Sequence, residues 1–264
     1  MSSHSPQTPV DNGFASGGAT PGLDASLHDF CSTCVFAEVC ALAGYGKPEL
    51  SELHHVVQHI RPFAMGQRIF RGGEPFHALF AVRSGMVKTT ANDSEGRERV
   101  LGFFLPGEAL GLFAIHPGYY PCDAIALERT EVCRFSFPVM SALAARHPDV
   151  QRHLFQMFSK ELGRASLVAS HRSVAQRMAA FLVELGGRYA ARGQSRTNFR
   201  LGMAHADIAG HLCLAPETVS RVLRRFREQG LIALHRKHTE LLDFPRLCQL
   251  ARPRGRGLDP AFSQ

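Results

Sequence analysis

The stretch HADIAGHLCLAPETVSRVLRRFREQGLIAL, residues 205–234, reads as two short helices joined by a tight turn. Ile208 and Leu212 give the first helix an inward face, and CLA at 213–215 makes a short turn. Pro216 suits the first position of the next helix, where its missing N–H costs nothing. Val219, Val222, Leu223 and Phe226 then form one apolar stripe, and Gly230 is placed to end the helix. This is helix-turn-helix spacing. The other face carries Glu217, Ser220, Arg221 and Arg224 at i, i+3, i+4 and i+7, so all four can enter a groove together. In the major groove of double-stranded DNA an arginine bonds guanine O6 and N7 as a fork, and a carboxylate accepts from cytosine N4. Taken alone, the helix also suits a solvated face with a weak Glu217–Arg221 pair. LIALHRKHTELLDF, 231–244, adds two short strands around a basic turn, a wing whose Arg236 and Lys237 can touch phosphates.

Charge follows the same division of the chain. The net charge is +7, and residues 174–264 hold 15 Lys/Arg against 7 Asp/Glu, whereas residues 1–173 hold 15 against 16. A basic third on a near-neutral body suggests a nucleic-acid partner, with a merely basic surface as the alternative. No apolar run reaches a membrane span, since VLGFFLPGEALGLFAI (100–115) is broken by Pro106, Gly107 and Glu108, so a soluble protein without a membrane partner is expected. Residues 1–30, rich in Ser, Pro and Gly and without an apolar core, read as a disordered tail and not as a secretory signal. From about 61 to 137, short apolar stretches such as ALFAVRSGMVKTT alternate with turn residues, as in an all-β barrel or jelly roll. After Pro138 the spacing becomes helical. PDVQRHLFQMFSKELGRASLVASHR (148–172) holds a long helix with Leu154, Phe158, Glu161, Ala165 and Val168 in a seam, which serves either subunit pairing or packing on the chain's own β unit. VAQRMAAFLVELGGRYA (174–190) opens a second helical unit with Met178, Phe181, Leu182 and Leu185 inward. No paired base and nucleophile can be placed, so an enzyme is not expected.

The seven cysteines, at 31, 34, 40, 122, 133, 213 and 248, argue for a reducing cytoplasm and against a disulfide framework. Three of them stand as C-x2-C-x5-C in CSTCVFAEVC, 31–40. Thiolates so arranged suit an iron–sulfur cluster, with a four-thiolate zinc site and metal-free buried cysteines as the alternatives. The spacing leaves a fourth ligand to be found elsewhere in the chain.

RSGMVKT (83–89), LPGEALGLFAI (105–115), ALERTEVCRF (126–135) and PETVSRVLRRF (216–226) together resemble the Crp/Fnr family of bacterial transcription regulators, over about residues 31–250. The resemblance implies an α+β chain. A cysteine-bearing segment and a double-stranded, cupin-like β-roll span 31–147, a dimerisation helix 148–173, and a winged helix-turn-helix 174–264. It implies a homodimer on a palindromic site of TTGAT-like half-sites, Glu217, Ser220 and Arg221 as base-reading positions, and contact with RNA polymerase through RYAARGQSR (188–196) and the turn at Ser84 and Gly85. In the family's cyclic-nucleotide binders an Arg-Ser pair grips the phosphate. Tyr120 and Pro121 stand at those positions here, which argues against a cyclic nucleotide. The cysteine spacing resembles the oxygen-responsive Fnr branch, which implies a [4Fe–4S] cluster on Cys31, Cys34, Cys40 and a roll cysteine, Cys133, with Cys122 as the competing candidate. Two departures stand out. Cys213 sits where the family's turn usually has Gly, and Ala165 where oxygen-responsive relatives tend to be acidic.

Overall fold

A computed structural model describes residues 34–37, 57–60, 62–93, 95–168 and 173–252, and for 57, 59 and 160–168 the backbone alone. Cys31, Cys40 and the expected tail over 1–30 lie outside the described residues. The first unit is built from β1 (Val57–His59), β2 (Arg68–Phe70), β3 (Ala78–Ser84), β4 (Val87–Asn92), β5 (Glu98–Phe104), β6 (Ala109–Leu110), β7 (Asp123–Ala126) and β8 (Glu131–Ser136). They pair antiparallel in two four-stranded sheets, β1-β8-β3-β6 and β2-β7-β4-β5.

Strand alternation decides what each face of the first sheet meets. On β3 and β8, Ala78, Phe80, Val82 and Val132 turn into the roll beside Phe70, Phe104 and Tyr120. Leu79, Ala81, Cys133 and Phe135 turn outward. That outer face is also apolar, so it needs a cover. Helices α1 (Phe137–Arg146) and α2 (Pro148–Val168) supply it with Met140, Leu143, Val150, Leu154 and Met157. Residues 34–37 complete it: Phe36 is 0% exposed, and its ring centroid lies 4.2 Å from that of Phe135.

The start of the seam read on α2 packs on the chain's own roll, the second of the two expected uses. Leu154 is buried within the protomer and Phe158 is half-buried on the same cluster, because the outer sheet face must be covered locally. Phe155, by contrast, is 62% exposed. Glu161, Ala165 and Val168 lie on α2 with side chains outside the described residues.

The second unit comprises α3 (Val174–Ala190), β9 (Asn198–Arg200), α4 (His205–Leu212), α5 (Pro216–Glu228), β10 (Ile232–His235), β11 (His238–Leu241) and α6 (Phe244–Ala251). Ser173 caps α3: its hydroxyl accepts from the Gln176 N–H, and the Gln176 side chain returns the bond to the Ser173 N–H. β9 joins the two wing strands in a sheet of order β10-β11-β9.

The two units share one apolar cluster, in which Met86, Val100, Phe103 and Leu105 of the roll meet Phe181, Leu185 and Ile208 of the helical unit. Polar contacts ring it. Lys88 Nζ lies 2.8 Å from Asp207 and 3.0 Å from Glu98. Burial alone would depress the Lys88 ammonium, but those two carboxylates outweigh it and raise its pKa. Arg188 and Arg192 turn onto Glu108, so part of RYAARGQSR, expected from the resemblance to contact RNA polymerase, packs against the roll instead. Its first residues finish α3, and two of its arginines face the roll because a buried carboxylate needs partners.

His211 of α4 sits inside the interface, its ring 5.3 Å from Phe103 and 5.8 Å from Phe181, with Nδ1 donating to the Val100 carbonyl. Burial lowers its pKa below 6.5. Stability is therefore fully present above about pH 6.5 and declines as pH falls toward the depressed folded value, because the unfolded chain takes up the proton first. Denaturant titrations at pH 7.5 and 5.5 should show a larger loss for the native chain than for His211→Gln. Gly85, at φ +82°, closes the β3–β4 turn so tightly that an added Cβ would stand 2.5 Å from Thr130 Oγ1 and 2.6 Å from the Arg129 carbonyl oxygen. Gly85→Ala should lower unfolding free energy by about 2 kcal/mol or more, read as a shifted denaturation midpoint.

Candidate functional site

Two places in the molecule carry the candidate chemistry, one on each unit. In the helical unit α4 ends at Leu212, residues 213–215 turn, and α5 begins at Pro216. Cys213 takes φ 52°, ψ 53°, so the departure noted in the sequence does put a side chain in the left-handed region that glycine occupies without penalty. Neighbours brace the turn. Arg177 of α3 donates to the Leu212 carbonyl at 2.6 Å, and Arg99 of β5 reaches the Cys213 sulfur at 2.9 Å.

Helix α5 buries Val219, Leu223 and Phe226, with Val222 half-buried beside them, as its stripe requires. Glu217, Ser220, Arg221 and Arg224 are all exposed on the far side. Arg224 lies 3.8 Å from Glu228, a loose pair between two open side chains that leaves the guanidinium available. Gly230, at φ +67°, follows the helix end as its position suggested. The wing turn presents Arg236 and Lys237, both exposed, between β10 and β11. One member of this surface escaped the sequence reading. His205, the first residue of α4, sets its Nδ1 3.1 Å from Ser220 Oγ and so orients that hydroxyl. Its only sequence signal is its place at the start of the first helix.

The cysteines divide by face. Cys133 pairs across β3 with Ala81 and across β1 with His59 in backbone register, and its side chain is 5% exposed on the outer face. Cys34 belongs to the same buried cluster. Its sulfur accepts from the Phe36 N–H at 3.5 Å. The Val35 N–H donates to the Gly107 carbonyl at 3.0 Å, and the His153 ring of α2 meets the Val35 carbonyl. Four residues are thus anchored to the roll by side chain and backbone together. Cys122 is buried on the opposite side of the sheets, inside the roll, and burial, with the Asp123 charge, pushes its thiol up to about 12. Cys213 is exposed and Cys248 half-buried, both in the helical unit.

Thiolate ligands need sulfurs that can converge and a pocket that keeps water away. Cys34 and Cys133 are buried in one apolar cluster, and the Phe36 N–H is aimed at the Cys34 sulfur. Cys31 precedes Cys34 by three residues and Cys40 follows it by six. Inside the roll, Tyr120 gives its hydroxyl to the Ala78 carbonyl at 2.7 Å and stacks on Phe70 at 4.0 Å between ring centroids. A committed tyrosine occupies the first of the two positions assigned to a phosphate grip.

Comparison with known proteins is consistent along the chain. Residues 176–250 match the Crp-like helix-turn-helix domain and residues 60–147 the cyclic nucleotide-binding domain. The chain is 38% identical over 224 residues to the transcriptional activator protein Anr of Pseudomonas aeruginosa, covering 84% of this chain and 92% of that one. It is 33% identical over 224 residues to the fumarate and nitrate reduction regulatory protein of Escherichia coli K12, covering 84% and 90%. Among solved structures it is similar to FixK2 from Bradyrhizobium japonicum, with a TM-score of 0.68, 26% identity, and 76% of this chain and 100% of that chain covered. Among the described residues no helix is long and apolar enough to cross a membrane.

The exposed face of α5 sets a direct expectation. Arg221→Ala should weaken binding to a specific duplex by about 1–3 kcal/mol and relax preference at one base position. Lys237→Ala should weaken binding to all sequences alike and reduce the salt slope by about 1, both read by fluorescence anisotropy over a salt series.

Proposed function

The chain belongs to the Crp/Fnr family of DNA-binding transcription regulators, and from that premise we propose that it responds to oxygen or redox state through a [4Fe–4S] cluster on Cys31, Cys34, Cys40 and Cys133. The observation that carries this reading is the shared outer face: Cys34 and Cys133 lie in one buried cluster, and Cys122 points away from it. When bound, the cluster supplies an oxygen-sensitive crosslink between thiolates far apart in the chain. The protein's own residues do the rest. Phe36, wedged on Phe135, holds the segment down and excludes water from Cys34. The bonds from Val35 to Gly107 and from His153 to Val35 orient that segment, and the Phe36 N–H stabilises charge on the Cys34 sulfur.

At the other end Arg221 pairs with guanine, Glu217 accepts from cytosine, Ser220 and Arg224 contact the same groove, and Arg236 and Lys237 touch flanking phosphates. A homodimer pairing along α2, where Phe155 is exposed, places two such helices in successive major grooves of a palindromic site. The exposed part of the loop, 191 and 193–196, and the turn at Ser84 are the surfaces proposed for RNA polymerase. The protein acts in the cytoplasm as an activator and not as an enzyme. Commitment of Tyr120 to Ala78 and Phe70 supports a roll that keeps the cyclic nucleotide-binding fold without a cyclic nucleotide as its ligand.

Purified without oxygen, the full chain should be brown, carry iron and sulfide in the cluster's ratio, lose visible absorbance in air, and bind TTGAT-like palindromes more tightly before exposure than after. Cys133→Ser should be colourless and Cys122→Ser brown. A colourless native chain with stoichiometric zinc overturns the reading, and colour lost only in Cys122→Ser moves the fourth ligand.

A further inference from the structure

We propose that the Phe103–Glu108 turn of the roll is the link through which the N-terminal segment sets the orientation of the DNA-binding unit, with Glu108 as its positioning residue. As a response to oxygen this rests on the cluster reading above. As a mechanical link it does not.

Three consecutive residues of the turn join two elements: Pro106 and Glu108 hold the end of α3, and Gly107 between them holds the N-terminal segment. The Pro106 carbonyl accepts from Arg192 Nε, just beyond α3. The Gly107 carbonyl accepts from the Val35 N–H at 3.0 Å, next to Cys34. The Glu108 carboxylate, 5% exposed, receives Arg188 Nε and an Arg192 terminal nitrogen on Oε1, each at 2.9 Å. Its Oε2 meets Arg188 again and accepts the Leu105 N–H at 2.9 Å, so the same carboxylate closes its own turn. Arg188 also donates to the Phe103 carbonyl.

The turn is fastened below as well. The Gly107 N–H donates to the Val82 carbonyl at 2.7 Å, and the Val82 N–H to the Glu108 carbonyl at 3.0 Å. Val82 and Ala81 of β3 pair with Val132 and Cys133 of β8. Both cysteine-bearing elements are therefore one hydrogen bond or one strand away from the peptides that hold α3. A carboxylate shared by two guanidiniums away from water is steep in distance, since low dielectric magnifies small displacements. Releasing residues 34–37 removes the Val35 bond from Gly107, loosens the turn between its two arginine contacts, and frees α3, with the helix-turn-helix behind it, to tilt. The other polar contacts between the units, among them Lys88 with Asp207, His211 with Val100, Arg99 with Cys213 and Arg200 with Glu128, involve none of residues 34–37.

The test uses the full chain with spin labels on the exposed residues Glu95 of the roll and Glu240 of the wing, prepared as native, Glu108→Gln, Val35→Pro and the double variant. Visible absorbance after anaerobic purification reports cluster loading, anisotropy reports DNA affinity, and pulsed electron resonance reports the distance between units. Glu108→Gln should keep the native absorbance, lose about tenfold in DNA affinity, within the usual range of coupling between sites, and broaden the distance distribution. Val35→Pro should broaden the same distribution, and the double variant should be no worse than Glu108→Gln alone. Should Glu108→Gln fail to fold, Arg192→Lys, which keeps the charge but loses the Nε donor to Pro106, carries the same expectation. A native chain that is colourless yet shows the same broadening in Val35→Pro and Glu108→Gln keeps the link and overturns only the cluster. Native-like distances and affinity in Glu108→Gln, or additive losses in the double variant, overturn the link.

Discussion

Everything in this molecule hangs on a sheet with two apolar faces. Residues of β3 and β8 alternate between the interior of the roll and its outside, and each set contributes a cluster of buried apolar side chains. A sheet left bare on one side would expose Leu79, Ala81, Cys133 and Phe135 to water, at a cost that rises with the apolar area exposed. Covering that side brings α1 and α2 onto the roll and Phe36 onto Phe135. The cover places Cys34 in the same cluster as Cys133. What presents itself as sensor chemistry is therefore built on an ordinary packing requirement.

The second unit attaches in another way. Its contact with the roll is an apolar centre ringed by charge, with Lys88 on Asp207 and two arginines on Glu108. Buried ion pairs of this kind add little net stability relative to apolar residues, but they are exacting in geometry, because breaking one partner leaves the other uncompensated. Such an interface suits an element whose angle matters more than its adhesion. The face of α5 proposed to read bases lies away from it, with Glu217, Ser220, Arg221 and Arg224 open to solvent while the first helix of the motif, through His211, is sealed against β5. Holding α4 and exposing α5 lets the roll govern orientation without occupying the groove-facing surface.

Much of this was legible in the chain. The stripe Val219, Val222, Leu223, Phe226 and its polar opposite follow from helical periodicity, and periodicity survives any tertiary context that buries one side. The wing was legible because a basic turn between two alternating runs has few other solutions. The left-handed backbone at Cys213 was foreshadowed only by the resemblance, which puts glycine at that place in the turn. Three things were not. Leu154 reads equally well as a seam between subunits or as cover for its own roll, since both demand the same residue type. Arg188 and Arg192 look like solvated loop charges until the carboxylate they face is known. His205 carries no pattern at all; it matters because Ser220 stands beside it in space.

The sequence by itself determined the classes of element and their order: a roll, a long helix, and a winged helix-turn-helix with four groove-ready side chains. These depend on local periods and on turn chemistry, which each stretch carries within itself. Only the tertiary structure decided which cysteine of the roll shares a face with Cys34, and that Glu108 joins the turn beneath Val35 to the helix bearing Arg188. Cys122 and Cys133 are the same residue type eleven residues apart, and only the resemblance of ALERTEVCRF favoured Cys133. They part because β8 turns Cys133 to the outer face beneath Phe36, whereas the bend before β7 turns Cys122 into the roll, and which face meets a distant segment is a property of the packed chain.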